Sequence, residues 1–286
     1  MSIVITGSTG QLGRLVIADL LAAGLPADGI TAVARSKEKA ADLAAQGVKV
    51  AIADYDEPSS FDDVFSSGDR VLLISGDTPG ARVPQHATVI AAAKAAGVSQ
   101  LAYTSVFGAP KTEMLLAADH QATEQLILDS GLPHTFLRNN WYTEMAVSDL
   151  ADAVETGAIV NGTSPDARIA SAPREDYAAA AAVVLSTDGH LNKAYELGGD
   201  TAWTFGEFAA ELSRQTGKPV AHQTVSQQEV LAGLLAAGIP EGFATVIADI
   251  DTARTAGALT ATPGDLSRLT GRPTTPIATT ITKLLS

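Results

Sequence analysis

The amino-acid sequence predicts an α/β fold, with helices on both faces of a doubly wound parallel sheet and a smaller C-terminal α/β lobe. Short apolar runs rich in β-branched residues alternate with helical stretches through the first half of the chain. A glycine-rich turn joins the first apolar run to the first helical stretch. Later elements are smaller and less regular. We therefore expect two domains, residues 1–150 and 151–286.

Six segments of the first half have the pattern of strands buried on both faces. They are Ser2–Thr6, Ile30–Ala34, Val48–Ala53, Val71–Ile74, Leu101–Thr104 and Thr135–Arg138. The stretches between them with helical spacing are Gln11–Ala23, Lys37–Gln46, Gln85–Ala96 and Asp119–Ser130. Gly97 and Gly131 follow two of these helices, as glycine often does where a helix ends. This alternation is typical of a parallel sheet covered by helices.

The rest of the chain has the pattern of a smaller lobe packed on the first domain. We interpret Ile169–Ala172, Ala194–Leu197 and Val220–Val225 as short strands. The predicted helices are Glu175–Leu185, Phe205–Gln215, Gln227–Ala237 and Gly264–Gly271, and Ile239–Thr245 begins a further element. The sequence contains no repeat and no low-complexity linker.

Composition excludes several classes of function. The 286 residues include 19 basic and 32 acidic side chains, a net charge of −13 that repels nucleic acid. The absence of cysteine excludes disulfides, thiolate nucleophiles and cysteine-ligated metal sites, and suits a reducing cytoplasm. No apolar run approaches the ~20 residues of a membrane span, and the N-terminus has no signal-peptide pattern. We expect a soluble, cytoplasmic protein.

The glycine-rich turn predicts a dinucleotide site. It consists of Gly7, Ser8, Thr9, Gly10, Gln11, Leu12 and Gly13. Between a first strand and a first helix, this spacing is typical of the pyrophosphate turn of a Rossmann domain. We expect Gly7 to permit the tight turn, Gly10 to let the backbone approach the phosphates, and Gly13 to let the helix pack closely. Backbone amides at the helix start supply positive potential despite the acidic chain.

The ends of the later strands indicate which nucleotide binds. Arg35 follows the second strand, where an NAD site usually has an acidic residue. A guanidinium matches a 2′-phosphate, so we predict NADPH, with weaker use of NADH. Further candidate cofactor-binding residues also lie at carboxyl ends of strands, where ligands of open sheets bind. They are Asp54, Tyr55, Ser75, Gly76, Thr104, Ser105 and Asn139.

Several blocks of sequence resemble one branch of the short-chain dehydrogenase/reductase superfamily. They are TGSTGQLG (residues 6–13), PQH (84–86), AYTS (102–105), SGLPHTFLRNNWYTE (130–144), REDYAAAAA (174–182), YELGGDTAWT (195–204) and GRPTTP (271–276). Together they resemble the zinc-independent NAD(P)H:quinone oxidoreductase type 2 family, in the NmrA-like atypical branch, over essentially the whole chain. Triphenylmethane dye reductase is a near relative. The resemblance implies two-electron hydride transfer from NADPH to a quinone, without flavin or metal.

The residues after the fifth predicted strand agree with that chemistry. The Tyr-x-x-x-Lys pair of most short-chain dehydrogenases, which supplies the proton for alcohol–ketone exchange, is absent there. A quinone needs less help, because its hydroquinone anion is delocalised and water can protonate it. Positioning of the two rings then supplies much of the rate. The five histidines are scattered without the spacing of metal ligands.

Few residues are candidates for catalysis or binding at the acceptor, the molecule that receives the hydride. His120 is a candidate proton donor or ribose contact. Asn140, Trp141 and Tyr142 directly follow a strand, where we expect the two lobes to meet. Asn140 and Tyr142 are predicted to hydrogen-bond the acceptor, and Trp141 and Tyr142 to line its site. Arg174 is a further candidate for substrate binding.

Two alternatives remain open at the level of the sequence. An NmrA-like redox sensor binds NADP(H) without turnover, and the missing Tyr/Lys pair suits that function too. A reductase of triphenylmethane-type dyes is also open, because those acceptors are planar and apolar. The sequence leaves the formation of a homo-oligomer open as well.

Overall fold

The computed structural model describes residues 2–78, 80–147 and 150–286. Residue contacts divide the chain into two compact units, each described by itself. The first unit comprises Met1–Ala109, Ala118–Asn139 and Arg174–Glu196, and the second comprises Pro110–Ala117, Asn140–Pro173 and Leu197–Ser286. The units interleave along the chain. The predicted domains, residues 1–150 and 151–286, stay a prediction.

Among the described residues, seven strands form the sheet of the first unit. They are β1 (Ile3–Ile5), β2 (Ile30–Ala34), β3 (Lys49–Ile52), β4 (Arg70–Leu73), β5 (Gln100–Val106), β6 (His134–Asn139) and β8 (Lys193–Leu197). Their order is β3-β2-β1-β4-β5-β6-β8, and every neighbouring pair from β3 to β6 is parallel. The strand order reverses between β1 and β4, which is the switch point of a doubly wound sheet. The predicted α/β Rossmann fold is confirmed.

Helices and buried strand residues make the core of this unit. The helices are α1 (Gln11–Ala22), α2 (Ala41–Ala45), α3 (Arg82–Ala96), α4 (Ala117–Ser130) and α6 (Arg174–Ser186). Each residue of β1 and β5 is buried, as in central strands of a parallel sheet, whereas β3 was predicted to be buried on both faces and is exposed at both ends, because it lies at the edge of the sheet. α3 ends at Gly97 with φ 70°, and Gly131 after α4 has φ 75°. Both predicted helix ends are thereby confirmed.

One helix of the first unit is shorter than predicted. The stretch Lys37–Gln46 is α-helical only in α2, which follows a 3-10 turn at Glu38–Ala40. Nη2 of Arg14 donates to the Lys39 carbonyl oxygen at 2.8 Å, and the same guanidinium pairs with Asp42. Because a side chain takes the Lys39 carbonyl, the α-helical pattern begins later.

The second unit contains the smaller elements. These are β7 (Ala158–Asn161), β9 (Ala221–Thr224), α5 (Leu150–Thr156), α7 (Phe205–Thr216), α8 (Gln227–Ala236), α9 (Glu241–Thr255), α10 (Asp265–Thr270) and α11 (Ile277–Leu285). β7 and β9 pair in parallel. Thr204 and Glu207 form a reciprocal cap at the start of α7.

Two predictions for this unit need correction. The predicted strand Ile169–Ala172 is wrong, because its ends make only isolated bridges, Ile169 with Trp203 and Ala172 with Tyr142. The element predicted to begin at Ile239–Thr245 is the much longer helix α9. β7, α5 and α11 were not predicted, because they are short segments.

None of the helices within the described ranges combines the length and apolar character needed to cross a bilayer. Among the same residues, no three or more histidine, aspartate or glutamate side chains come together as metal ligands would.

Candidate functional site

The glycine turn is built at the carboxyl end of β1. Gly7 has φ 62°, a left-handed conformation that favours glycine, and its carbonyl accepts from the Gly10 amide at 3.1 Å. A Cβ on Gly13 would lie 2.5 Å from the Gly7 carbonyl oxygen and 2.7 Å from the Ser8 Cα. The first turn of α1 therefore packs directly on the turn, an approach that only glycine at position 13 permits.

The start of α1 offers backbone amides to an anion. Gly10 is the N-cap and, within the described chain, no side chain caps this helix end. The first turn carries no acidic residue. Unsatisfied amides and the helix dipole make such a helix start a favourable place for a phosphate group. The side chain of Ser8 points the other way, donating to the Val33 carbonyl at 2.7 Å.

Arg35 and Arg14 lie near the end of β2. Arg35 directly follows β2, is exposed, and makes no hydrogen bond or ion pair with any described residue. Arg14 is already engaged, because its Nε donates to the Thr9 carbonyl at 3.0 Å and its Nη2 to the Lys39 carbonyl. Arg14 thus links the glycine turn to the loop after β2, and Arg35 stays available for a ligand.

Asp54 and Tyr55 follow β3. Oδ1 of Asp54 accepts from the Asp56 amide at 3.1 Å, as in a turn. The Tyr55 hydroxyl donates to Oγ1 of Thr6 at 2.5 Å and lies 3.3 Å from the Ile74 carbonyl oxygen. Burial raises the pKa of Tyr55 well above its usual range. Tyr55 is therefore a neutral phenol that joins the ends of β1, β3 and β4.

The ends of β4 and β5 are also connected. The Ser75 amide donates to Oγ1 of Thr104 at 2.8 Å, so these two predicted residues are brought together. Ser105 is buried and donates to Oε1 of Glu124 at 2.6 Å. The same carboxylate pairs with Arg138, so the Ser105 hydroxyl is engaged within the fold. Asn139, the last residue of β6, is buried.

His120 is buried in the first turn of α4. Its Nδ1 lies 2.9 Å from the Tyr103 hydroxyl. Burial lowers the pKa of His120 to about 3, and the positive charge of Arg82 contributes. At neutral pH the ring is therefore a neutral hydrogen-bonding group and not an imidazolium acid. That His120 acts at the acceptor, as a neutral hydrogen-bonding group, stays a prediction.

Asn140, Trp141 and Tyr142 belong to the second unit. Nδ2 of Asn140 donates to the Leu259 carbonyl at 3.2 Å, and its Oδ1 accepts from the Trp141 amide at 2.7 Å. The Asn140 amide thus shapes its own loop, and its contact with an acceptor stays a prediction. Tyr142 is half-buried and bridges to Ala172.

The residues that contact the Trp141 ring were not predicted as site residues. The guanidinium carbon of Arg254 lies 4.7 Å from the Trp141 ring centroid and 5.3 Å from that of Phe205. Nη1 of Arg254 donates to Oδ1 of Asp251 at 2.9 Å, and both residues are buried. Asp251 also accepts from the Thr163 hydroxyl at 2.8 Å. Local sequence gives little signal for this group, because its members come from distant segments.

Three further polar residues lie on helices of the first unit. Arg174 is the first residue of α6, in the first unit, and is half-buried. Two residues of α3, Arg82 and His86, are buried beside Gly76 and were not predicted as site residues. The PQH block that contains His86 was the available signal.

The residues at this edge of the first unit fit a nicotinamide dinucleotide. The close approach at Gly13 and the uncapped start of α1 suit a pyrophosphate. The exposed Arg35 suits a phosphate on the adenosine ribose, because a guanidinium recognises phosphate with two parallel hydrogen bonds.

Comparison with known proteins agrees with this assignment. Residues 7–188 match the family described as NAD(P)H-binding. The chain is 44% identical to Quinone oxidoreductase 2 of Escherichia coli (strain K12) over 284 residues, 99% of each chain. It resembles the crystal structure of the Escherichia coli NADPH-dependent quinone oxidoreductase complexed with NADPH, with a TM-score of 0.95 over 99% of this chain and 100% of that one.

A second solved structure is similar over the full length. It is the triphenylmethane reductase of Citrobacter sp. complexed with NADP(H), which is 42% identical with a TM-score of 0.93 and 99% of both chains covered. These findings confirm the resemblance inferred from the sequence blocks. The chain belongs to the NAD(P)H-binding family and, within it, to the type 2 quinone oxidoreductases.

Proposed function

We propose that this protein reduces quinones by direct two-electron hydride transfer from NADPH, without flavin or metal. One observation carries the proposal. The chain has an uncapped start of α1 and an exposed Arg35 at the carboxyl end of the sheet, and it is 44% identical to a quinone oxidoreductase over 99% of its length.

The chain's own residues divide the cofactor between them. Amides at the start of α1 hold the pyrophosphate, and Arg35 selects the 2′-phosphate, so NADH binds less tightly. Asp54 and Tyr55 flank the adenosine half. Ser75, Gly76, Thr104, Ser105 and Asn139, at the ends of β4 to β6, flank the nicotinamide half.

When bound, NADPH supplies a hydride, which carries two electrons and one proton. The quinone that accepts the hydride becomes a hydroquinone monoanion, and one further proton from water completes the hydroquinone. The low pKa of His120 supports solvent as the source of that proton, since the neutral ring is a poor acid. His120 then contributes a hydrogen bond.

The acceptor site is assigned to residues that follow β6 along the chain. We assign Trp141 and Tyr142 to the ring of the acceptor, and Asn140 to shaping their loop with its remaining N–H toward an acceptor oxygen. The contact of Arg254 with the Trp141 ring supports a fixed position for the indole. Arg174 stays a predicted substrate-binding residue.

A second candidate is the reduction of triphenylmethane-type dyes. The 42% identity to the Citrobacter triphenylmethane reductase favours it as a related activity. Such dyes are planar cations, and the net charge of −13 attracts cations where it repels anions.

Turnover tests the proposal directly. Purified protein is mixed with NADPH and either 1,4-benzoquinone, menadione or crystal violet, and the near-ultraviolet absorbance of NADPH is followed. We expect consumption with quinone and no flavin absorbance in the protein. Nucleotide binding without consumption with any acceptor would contradict the proposal and favour the redox sensor.

Variants test the assigned acceptor residues. We expect Tyr142→Phe and His120→Ala to lower kcat/KM for quinone about tenfold, the effect of losing one hydrogen bond, and to leave the Kd of NADPH unchanged. Full activity in both variants would remove these two residues from the site. A cytoplasmic location and a homo-oligomeric state stay predictions.

A further inference from the structure

The segment that leaves β4, Ile74–Gly76, follows no helix or strand pattern, yet its backbone is held throughout. We call it the β4 exit segment. The Ile74 amide lies 3.3 Å from Oγ1 of Thr6, and the Ser75 amide donates to Oγ1 of Thr104 at 2.8 Å. A Cβ on Gly7 would lie 3.2 Å from the Ile74 Cβ, so the segment packs against the glycine turn. It lies at the switch point between β1 and β4.

Two side chains of α3 take both polar groups of Gly76. The Gly76 amide donates to Nε2 of His86 at 3.0 Å, and Nε of Arg82 donates to the Gly76 carbonyl oxygen at 2.6 Å. Arg82 and His86 are four residues apart on one helix, so they lie on the same helical face. Both are buried. α3 therefore holds the backbone of Gly76 from one side through Arg82 and His86, and we call these two side chains the clamp.

The hydrogen bonds define the state of His86. Because the Gly76 amide donates to Nε2, the proton of the neutral ring is on Nδ1, which lies 2.9 Å from Oγ1 of Thr123. The Thr123 hydroxyl in turn donates to the Asp119 carbonyl oxygen at 2.8 Å. The chain of donors is complete, and a second proton on the ring would oppose the Gly76 amide.

The surroundings keep the ring neutral. Charged Arg82 and Asp119 lie near it, and the rings of Tyr103 and Tyr55 pack on it at 5.5 and 6.4 Å between centroids. Burial and the positive charge of Arg82 lower the pKa of His86 to about 4. The clamp is therefore intact across the neutral range.

Stability alone is a poor reason for this arrangement. Nη1 of Arg82 is buried, makes no hydrogen bond to any described residue, and lies 3.9 Å from Oδ2 of Asp119. A buried, incompletely paired cation costs free energy, and apolar replacements of such groups are often neutral or stabilising. An arrangement that costs stability at the edge of the cofactor site points to a function there.

We propose that His86 and Arg82 are positioning residues for the nicotinamide dinucleotide, acting by fixing the backbone of Gly76 beside the glycine turn. The inference rests on the cofactor site of the proposed function and adds the residues that shape it. Gly76 follows β4, and in the sheet β1 separates it from Arg35, which follows β2 and is assigned to the 2′-phosphate. We therefore expect the clamp to act on the part of the dinucleotide that NADPH and NADH have in common, and not on the 2′-phosphate.

The experiment measures binding directly, by calorimetric titration of His86→Leu and His86→Gln with NADPH and with NADH. His86→Leu leaves the Gly76 amide without its acceptor, and we expect Kd to rise about tenfold for both nucleotides. A glutamine places an oxygen where Nε2 lies and a donor toward Thr123. We expect His86→Gln to bind both nucleotides within about twofold of the wild type.

A matched control separates positioning from stability. Gln100 is buried at the amino end of β5, and its Nε2 donates to Oγ1 of Thr135 at 2.8 Å. Gln100→Leu loses a buried hydrogen bond at the opposite edge of the sheet, so we expect a lower Tm and an unchanged Kd. If His86→Leu does not fold, Arg82→Met gives the same test through the Gly76 carbonyl.

The outcomes are decisive. Wild-type Kd for both nucleotides in folded His86→Leu or Arg82→Met, or equal weakening in Gln100→Leu, would overturn the positioning function. A rise in Kd without recovery in His86→Gln would also overturn it. Nucleotide binding by the wild type without quinone turnover would remove the proposed reaction and leave the clamp standing.

Discussion

The guanidinium of Arg254 lies over the indole of Trp141, 4.7 Å from its centroid, while Nη1 pairs with Oδ1 of Asp251 at 2.9 Å. Arg254 and Asp251 are both buried. A cation held by a carboxylate on one side and a ring on another has little freedom to move. The pair therefore fixes the orientation of a side chain that the proposed function assigns to the acceptor.

Removing the cation should expose that coupling. We expect Arg254→Leu to lower the free energy of unfolding by about 3–5 kcal/mol, because Asp251 is left buried without its ion pair. Urea denaturation measures the loss. The double variant Arg254→Leu/Asp251→Asn should recover part of it, and a double variant no more stable than Arg254→Leu would argue against the ion pair as the cause.

Arg35 should set the preference for NADPH. Arg35→Ala removes a charge-assisted contact worth about 1.5–3 kcal/mol, so we expect KM for NADPH to rise roughly 10- to 100-fold and KM for NADH to change little. Steady-state kinetics with both nucleotides measures this. Lys49→Ala, an exposed cation at the start of β3, is the control. Equal effects of Arg35→Ala on the two nucleotides would remove the assignment.

Gly13 should tolerate no side chain. Its Cβ would lie 2.5 Å from the Gly7 carbonyl oxygen, so Gly13→Ala forces the turn and α1 apart. We expect a loss of about 1–3 kcal/mol in unfolding free energy, together with loss of NADPH binding in a titration. Gly233→Ala in α8, where nothing lies within 4 Å of the added Cβ, should instead stabilise by up to about 1 kcal/mol. Wild-type binding by Gly13→Ala would contradict the proposed site.

The two buried histidines should make stability depend on pH. In the folded protein, burial lowers the pKa of His86 to about 4 and of His120 to about 3, whereas both titrate near 6.5 when unfolded. Below pH 6.5 the two histidines become protonated in the unfolded chain but stay neutral in the folded protein. The free energy of unfolding therefore falls as pH falls. The slope is about 1.4 kcal/mol per pH unit for each histidine.

Denaturation between pH 6.5 and 5 measures this slope, above the range in which carboxylates titrate. His86→Gln should reduce the slope by the contribution of one histidine, about 1.4 kcal/mol per pH unit. A slope equal to that of the wild type would mean that His86 is protonated to the same extent in both states.

Local pattern predicted the strands of the first unit and four elements of the second, α7, α8, α10 and β9, but it missed β7, α5 and α11. Strands buried on both faces are continuously apolar, so their positions were predicted to within a residue or two. The parallel order followed from their alternation with helices. Ile169–Ala172 has the same local character, but the surrounding chain gives its ends only isolated partners.

The sequence by itself determined the sheet, the glycine turn after β1 and the cation after β2, because these depend on residues adjacent in the chain or one element apart. Only the tertiary structure decided the partners of Gly76, the neutral state of His86 and His120, and the stacking of Arg254 on Trp141. Those properties arise where strands and helices distant in sequence meet, as with His86 and Thr123, which are 37 residues apart. Burial of polar side chains and long-range hydrogen bonds set them, and apolar periodicity in the sequence reports neither.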